Sequence, residues 1–312
     1  MAKKPLENAV SKPKVIYTIT LEENHIKALE TWCNHHAWEF YHVDYARFAF
    51  RGDGVNVVAY QSGKVVIQGK KTEGFVTYVL ESEITRKPQW GLERVHHPEW
   101  FVPHAGMDES GKGDFFGPLV TACVIADGSM VDAWIQSGLR ESKKLGSDLA
   151  VFKMEQLIRR THGVVVEIAF AGMEKYNALY KKFGNLNELL AWLHAKSLDN
   201  ALKKRWVPEG LLDQFAKGKL VQKYLESTQF NLKQRVRAEE DPVVAAASVV
   251  ARAEYLRQLK KLSDEAGIPL PKGAGIRVQE AAHALVKNLG QERLDCFAKL
   301  HFKTTEKIVN GS

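Results

Sequence analysis

Near the start of the chain, apolar and polar residues from Lys14 to Leu21 alternate with a period of two, the pattern of a strand with one face buried. Tyr45 to Arg51, Gly54 to Tyr60 and Lys64 to Gln68 read as further strands, and Gln61-Ser62-Gly63 between the last two has hairpin-turn composition. Glu23 to about His36 interrupts the series with a helical stretch. Together these elements predict a small α+β unit built on a curved antiparallel sheet. Pro88, Pro98 and Pro103, interspersed with Trp90 and Trp100, then mark an irregular connector. The domain boundary is placed near Gly91, giving units of residues 1–90 and 91–312.

Beyond the connector the texture changes. Pro118 to Ala126, Gly163 to Phe170 and Gly210 to Phe215 read as strands. Leu186, Leu190, Leu193, Ser197 and Ala201 follow helical spacing, and a second helix is expected from about Val244 to Leu262. Two final helices are expected over roughly Val278 to Leu289 and Gln291 to Leu300. Strands alternating with helices predict an α/β fold with a mixed sheet flanked by helices.

Composition narrows the function classes. With 312 residues, 45% apolar and 26% charged, the chain has the make-up of an ordinary globular protein of about two domains. A net charge of +7 favours polyanionic partners, although the lean is modest because 37 acidic residues are interspersed with 44 basic ones. Cys33, Cys123 and Cys296 lie far apart without metal-ligand spacing, which argues against a disulfide framework or a zinc site and fits a reduced, cytoplasmic setting. Met1 to Lys14 has no apolar core, and no run of about 18 apolar residues occurs, so neither a secretory signal nor a membrane span is expected.

The densest chemistry lies in Gly106-Met107-Asp108-Glu109-Ser110-Gly111-Lys112-Gly113-Asp114. Two carboxylates end an apolar strand and a turn with two glycines and a lysine follows. Such a pair offers hard oxygen ligands to Mg²⁺, and the turn offers exposed backbone N–H groups to a phosphodiester. Asp213 interrupts an apolar strand, where an unpaired buried carboxylate would be costly, so it wants a cation. Glu239, Glu240 and Asp241 precede the small-residue helix beginning at Pro242, where acidic residues also complement a helix dipole. The histidine pairs His35-His36 and His96-His97 lack the i, i+4 spacing of metal ligands and are expected at the surface. Phe48, Phe50 and Tyr60 could stack bases, but alternating aromatics in strands usually pack.

At this point the residues resemble a known family. Met107 to Asp114, Glu141 to Leu145, Asn185 to Ala195, Asp213 to Ala216, Ala245 to Arg252, Leu270 to Gly275 and Lys299 to Phe302 resemble bacterial ribonuclease HIII, a type 2 ribonuclease H, in order along the chain. The resemblance implies a ribonuclease H-like fold, preceded by a TATA-binding-protein-like domain that binds substrate. It also implies endonucleolytic cleavage of the RNA strand of RNA–DNA hybrids by two divalent ions, Mg²⁺ or Mn²⁺, leaving 5′-phosphate and 3′-hydroxyl ends. Asp108, Glu109 and Asp213 match three of the family's four metal-binding carboxylates, and Glu239 is the choice for the fourth, with Glu240 and Asp241 as alternatives. Ser110, Gly111, Lys112, Gly113 and Lys143 are the implied substrate contacts, with the glycine turn reading the ribose 2′-hydroxyl. Lysine between the glycines favours activity on consecutive ribonucleotides; the alternatives are ribonuclease HII-like cleavage at a single embedded ribonucleotide and a non-catalytic nucleic-acid-binding protein. A monomer without a protein partner is the family-based expectation.

Overall fold

A computed structural model describes residues 16–87, 93–139, 145 and 147–310. Glu141 to Lys144, including the expected substrate contact Lys143, and Gly91 of the expected boundary lie outside the described residues. The chain divides into two compact units, Met1–Pro98 and Glu99–Ser312.

The first unit contains β1 (Ile16–Thr20), α1 (Glu23–His35), β2 (Glu39–Phe40), β3 (Ala46–Gly52), β4 (Val55–Tyr60), β5 (Lys64–Gly69), α2 (Thr72–Phe75) running into a π-helical segment (Val76–Ile84), and the short α3 (Glu93–His96). Its sheet is antiparallel throughout, in the order β1-β5-β4-β3-β2. The hairpin expected at Gln61-Ser62-Gly63 joins β4 to β5, with Gly63 at φ 82° and its N–H bonded to Tyr60 O. One face of the sheet, including Tyr17, Phe48, Phe50, Val57 and Ile67, packs on Ile26, Leu29 and Leu80 from the helices. Phe48 and Phe50 are therefore packing residues, as their alternation suggested. Strand alternation and register put Thr18, Lys64, Gln68, Asn56 and Arg51 on the opposite face.

The second unit contains β6 (His104–Ser110), β7 (Val120–Ala126), α4 (Gly128–Gln136), α5 (Asp148–Arg160), β8 (Val165–Phe170), α6 (Met173–Phe183), α7 (Leu186–Lys204), β9 (Glu209–Asp213), β10 (Asn231–Arg235), α8 (Pro242–Ala266), α9 (Ile276–Leu289) and α10 (Lys303–Asn310). The sheet order is β10-β9-β6-β7-β8. β10, β9 and β6 run parallel, whereas β7 and β8 are antiparallel to their neighbours, so the expected mixed sheet is present. α7 covers one face, where Ala191, Ala195 and Leu198 meet Met107, Cys123 and Ile125. α8 covers the other, where its alanines meet Ala122 and Val124.

Local sequence explains where these helices begin and end. Asn185 caps α7 by accepting from Asn187 N at 2.7 Å. Asp241 caps α8 by accepting from Val243 N at 2.8 Å, Pro242 occupies the first turn, and Gly267 ends the helix in the left-handed region at φ 67°. The small residues Ala245, Ala246 and Ala247 allow α8 to lie close on β6. A Cβ on Gly106 would stand 2.3 Å from Val243 C and 2.4 Å from Val244 N.

One expected element is different. Gln291 to Leu300 is a 3-10 segment only as far as Cys296, after which the chain extends and bridges Phe116 through Ala298. Its backbone bonds go to the loop after the glycine turn, Gly117 N to Phe297 O and Lys299 N to Phe115 O, and so are not available for a helix.

The contact at Gly106 predicts that Gly106→Ala destabilises the protein by about 3 kcal/mol, because backbone must move to admit one methyl group. Gly113→Ala, with nothing within 4 Å of the added carbon, should change stability by less than about 0.5 kcal/mol. Urea denaturation of the two variants checks the contrast.

Candidate active site

β6 delivers the central carboxylates. Because side chains alternate along a strand, Asp108 shares the α8 face with Gly106, and Glu109 shares the α7 face with Met107. Asp108 is buried, 6% exposed. Its Oδ1 accepts the Glu109 N–H at 2.8 Å, and the Ser248 hydroxyl on α8 hydrogen-bonds the same carboxylate. Burial above all, then the charge of Glu109 and, more weakly, that of Asp213, push its pKa up to about 7 against those two hydrogen bonds.

Glu109 is partly exposed and reaches two other elements. Its Oε2 lies 3.3 Å from Nε2 of His194, a residue of α7 that is 0% exposed. Its Oε1 lies 3.7 Å from the Lys112 ammonium. Lys112 in turn donates to Phe215 O at 3.3 Å, and the Phe215 ring stacks on the His194 ring with centroids 5.4 Å apart. Glu109, His194, Phe215 and Lys112 thus form a closed circuit joining β6, α7, the end of β9 and the glycine turn.

Asp213 ends β9, and because β9 runs parallel to β6 it comes out at the same edge of the sheet as Asp108. Its Oδ1 accepts the Ala238 N–H at 2.8 Å. That bond brings the short 3-10 turn Ala238–Glu240 to the carboxylates, with Glu239 half-buried and Glu240 exposed. Asp241 is otherwise committed. Besides capping α8, it lies 3.2 Å from His104 Nε2, while His104 Nδ1 lies 2.7 Å from Val102 O. Both ring nitrogens face acceptors, an arrangement that favours the protonated ring. Burial alone would lower the His104 pKa, yet its bond to Asp241 and that residue's charge raise it overall.

The glycine turn follows directly. Gly111 has φ 87°, and a Cβ there would meet Pro118 O at 2.3 Å and the Tyr255 ring at 2.9 Å, so only glycine fits. Ser110 and Lys112 are half-buried and Gly113 is exposed. Asp114 anchors the far side, its Oδ1 accepting Gly273 N at 2.5 Å.

The structure therefore gathers Asp108, Glu109, Asp213, Ser110, Gly111, Lys112 and Gly113 at one edge, with Glu239 next to the residue that holds Asp213. Sequence reasoning missed His194, Ser248 and Asp114 as parts of the site, although all three lie in segments that carry the family resemblance. Among the described residues no three His, Cys, Asp or Glu side chains close round one ion-sized point. Glu109 and Asp213 place like charge next to a buried Asp108, so a cation among them is electrostatically favoured. Hard carboxylate oxygens on three neighbouring elements suit a divalent ion such as Mg²⁺ or Mn²⁺.

Comparison with known proteins identifies the family. Residues 105–305 match the ribonuclease HII family, and residues 18–89 match a domain of unknown function (DUF3378). The ribonuclease HIII of Protochlamydia amoebophila (strain UWE25) is 38% identical over 267 residues, 85% of this chain and 87% of that protein. That of Chlamydia pneumoniae is 39% identical over 274 residues, 85% of this chain and 88% of its own length. The crystal structure of Bst-RNase HIII in complex with Mn²⁺ matches with a TM-score of 0.65 at 28% identity, over 95% of this chain and 98% of that one. Fold, site and matches define a ribonuclease H whose ribonuclease H-like domain follows an N-terminal sheet-containing domain. Within that class, the chain belongs to the ribonuclease HIII family.

The raised pKa of Asp108 has a measurable consequence. Between the ordinary carboxylate value and about 7 the folded protein holds a proton that the unfolded chain has released, so metal-free stability falls as pH rises through that window. Asp108→Asn should raise the unfolding free energy in EDTA at pH 8, and with it the melting temperature, by on the order of 1–3 kcal/mol at ~1.4 kcal/mol per pK unit with partial relaxation. At pH 5 the gain should be smaller. Mn²⁺ should stabilise the wild type and leave the variant nearly unchanged. Scanning calorimetry of both proteins in EDTA and in Mn²⁺ checks all three outcomes.

Proposed function

We propose that this protein cuts the RNA strand of RNA–DNA hybrids endonucleolytically, with Asp108, Glu109, Asp213 and Glu239 holding two divalent ions, Mg²⁺ or Mn²⁺. The observation that carries the reading is the convergence of three carboxylates, one of them driven toward neutrality by its surroundings, beside a glycine turn at one sheet edge. Bound ions supply Lewis acidity for hydrolysis to 5′-phosphate and 3′-hydroxyl ends. The protein supplies placement. Ser248 and the Glu109 N–H orient Asp108, the Ala238 N–H orients Asp213, and His194 orients Glu109. Glu239 is the fourth carboxylate in this reading because Asp241 is used in capping α8 and pairing His104, while Glu240 points to solvent.

Substrate choice falls to the turn. Ser110, Gly111, Lys112 and Gly113 meet the ribose and its phosphates, where backbone donors and acceptors sense the 2′-hydroxyl. Lys143 adds a phosphate contact. The N-terminal domain binds the hybrid through the sheet face opposite its described helices, where Lys64 and Arg51 supply charge and Thr18, Asn56 and Gln68 supply hydrogen bonds. The protein is proposed to act as a monomer in the cytoplasm, consistent with its three free cysteines.

A fluorescent RNA–DNA hybrid tests the chemistry. Asp108→Asn should lower turnover by at least about a thousandfold while hybrid affinity stays within about threefold. Binding without metal-dependent cleavage by the wild type would leave only a nucleic-acid-binding protein, and equal cutting of a duplex with one embedded ribonucleotide would favour ribonuclease HII-like action. Removing residues 1–87 should weaken hybrid binding about tenfold or more and flatten its salt dependence, with kcat at saturating substrate little changed. Equal affinity in the truncated protein would remove the N-terminal domain from substrate binding.

A further inference from the structure

Lys299 is 0% exposed, an unusual place for an ammonium group. Its Nζ donates to Asp114 O at 2.8 Å and to Gly117 O, while its backbone N–H donates to Phe115 O at 2.9 Å. The carbonyl between these, Phe116 O, accepts from the Tyr255 hydroxyl at 3.2 Å. One residue therefore engages three of four successive carbonyls on the far side of the glycine turn. The Tyr176 ring lies 5.6 Å from the ammonium and offers it a π face.

Lys299 is itself held from behind. Asn177 Nδ2 donates to Asp295 O at 3.0 Å and Ala298 O at 2.9 Å, and Asn177 Oδ1 accepts from Leu300 N at 3.1 Å. Burial lowers the Lys299 pKa to about 7. A neutral amine keeps two N–H donors for the two carbonyls, so the contact survives on both sides of neutrality. A methionine would fill the same volume without the cost of burying a polar group, so packing alone does not account for lysine.

We propose that Lys299 is a positioning residue for substrate recognition: it clasps the back of Gly111–Gly117 and thereby sets the front of the turn against the ribose of the RNA strand. The proposal rests on the reading of Gly111–Gly113 as a substrate contact. Lys299 touches neither the substrate nor the carboxylates, so its loss separates substrate recognition from metal binding.

The test compares the full-length wild type with Lys299→Met and, independently, Asn177→Ala, which loosens the clasp from behind. Amide exchange at Phe115, Phe116 and Gly117 should accelerate about tenfold or more in each variant, while β6, β7 and α8 keep their protection. The Mn²⁺ concentration giving half the thermal stabilisation should stay within about twofold, and KM for an RNA–DNA hybrid should rise about tenfold with a smaller change in kcat. Unchanged exchange in the turn together with unchanged KM overturns the proposal. So does a loss of Mn²⁺ affinity and protection throughout the unit, which marks a merely structural lysine. If Lys299→Met does not fold, Asn177→Ala decides by the same criteria. If the wild type does not cut hybrids, the functional reading fails, and amide exchange with the Mn²⁺ titration still decides whether the clasp exists.

Discussion

Negative charge gathered at the poorly hydrated end of a sheet is the constraint around which this molecule is organised. Asp108 has little access to water, and Glu109 and Asp213 surround it with charge of its own sign. Each carboxylate is held by donors from a different element: Ser248 on α8 for Asp108, His194 on α7 for Glu109, and the Ala238 N–H for Asp213. The Ser248 hydroxyl and the Ala238 N–H fix direction without removing the repulsion, because neither carries a net charge. The Lys112 ammonium near Glu109 offsets part of it from the edge. Divalent ions complete the electrostatic balance, so metal dependence follows from the way the site is built.

Strand direction makes that gathering possible. β6 and β9 are parallel neighbours, and both end at the same edge of the sheet. An antiparallel pair of five-residue strands would separate those ends by about 17 Å. The third contributor arrives through α8, whose small residues and the bare Cα of Gly106 let helix and strand backbones meet closely. Ser248 comes within reach of Asp108 for the same reason. Packing and chemistry at this interface are therefore one problem, and a change that thickens it moves a catalytic neighbour as well as a helix.

Much of this was legible in the sequence, for identifiable reasons. Asp108-Glu109 and Asp213 stood out because carboxylates inside apolar runs contradict burial. The N-terminal strands were legible from the alternation of Lys14 to Leu21 and from the apolar runs that follow, and the alternating aromatics favoured packing for Phe48 and Phe50. Asp241 could have been set apart earlier, since an acidic residue directly before proline at a helix start is the signature of an N-cap. His194 was hidden because a histidine on a long, largely buried helix resembles any other core residue. β10 was hidden for the opposite reason: Asn231–Arg235 is an edge strand with Leu232 as its one buried residue, too polar to register as a strand. The segment after Cys296 has helical composition, but its backbone hydrogen bonds are drawn to the distant Phe115–Gly117 loop, and composition does not report such long-range pairing.

The same long-range pairing orders the protein's birth on the ribosome. Asp114 and Lys299 are 185 residues apart in the chain, yet one completes the hydrogen bonding of the other. The strands, the carboxylates and the helices as far as α8 all precede Lys299 and can assemble before it leaves the exit tunnel, because domains condense as they emerge. The loop after the glycine turn lacks the bonds to Asp114 O and Gly117 O until that lysine arrives. A nascent chain can thus hold its acidic cluster at the end of the sheet and still lack the distant segment that backs the neighbouring loop.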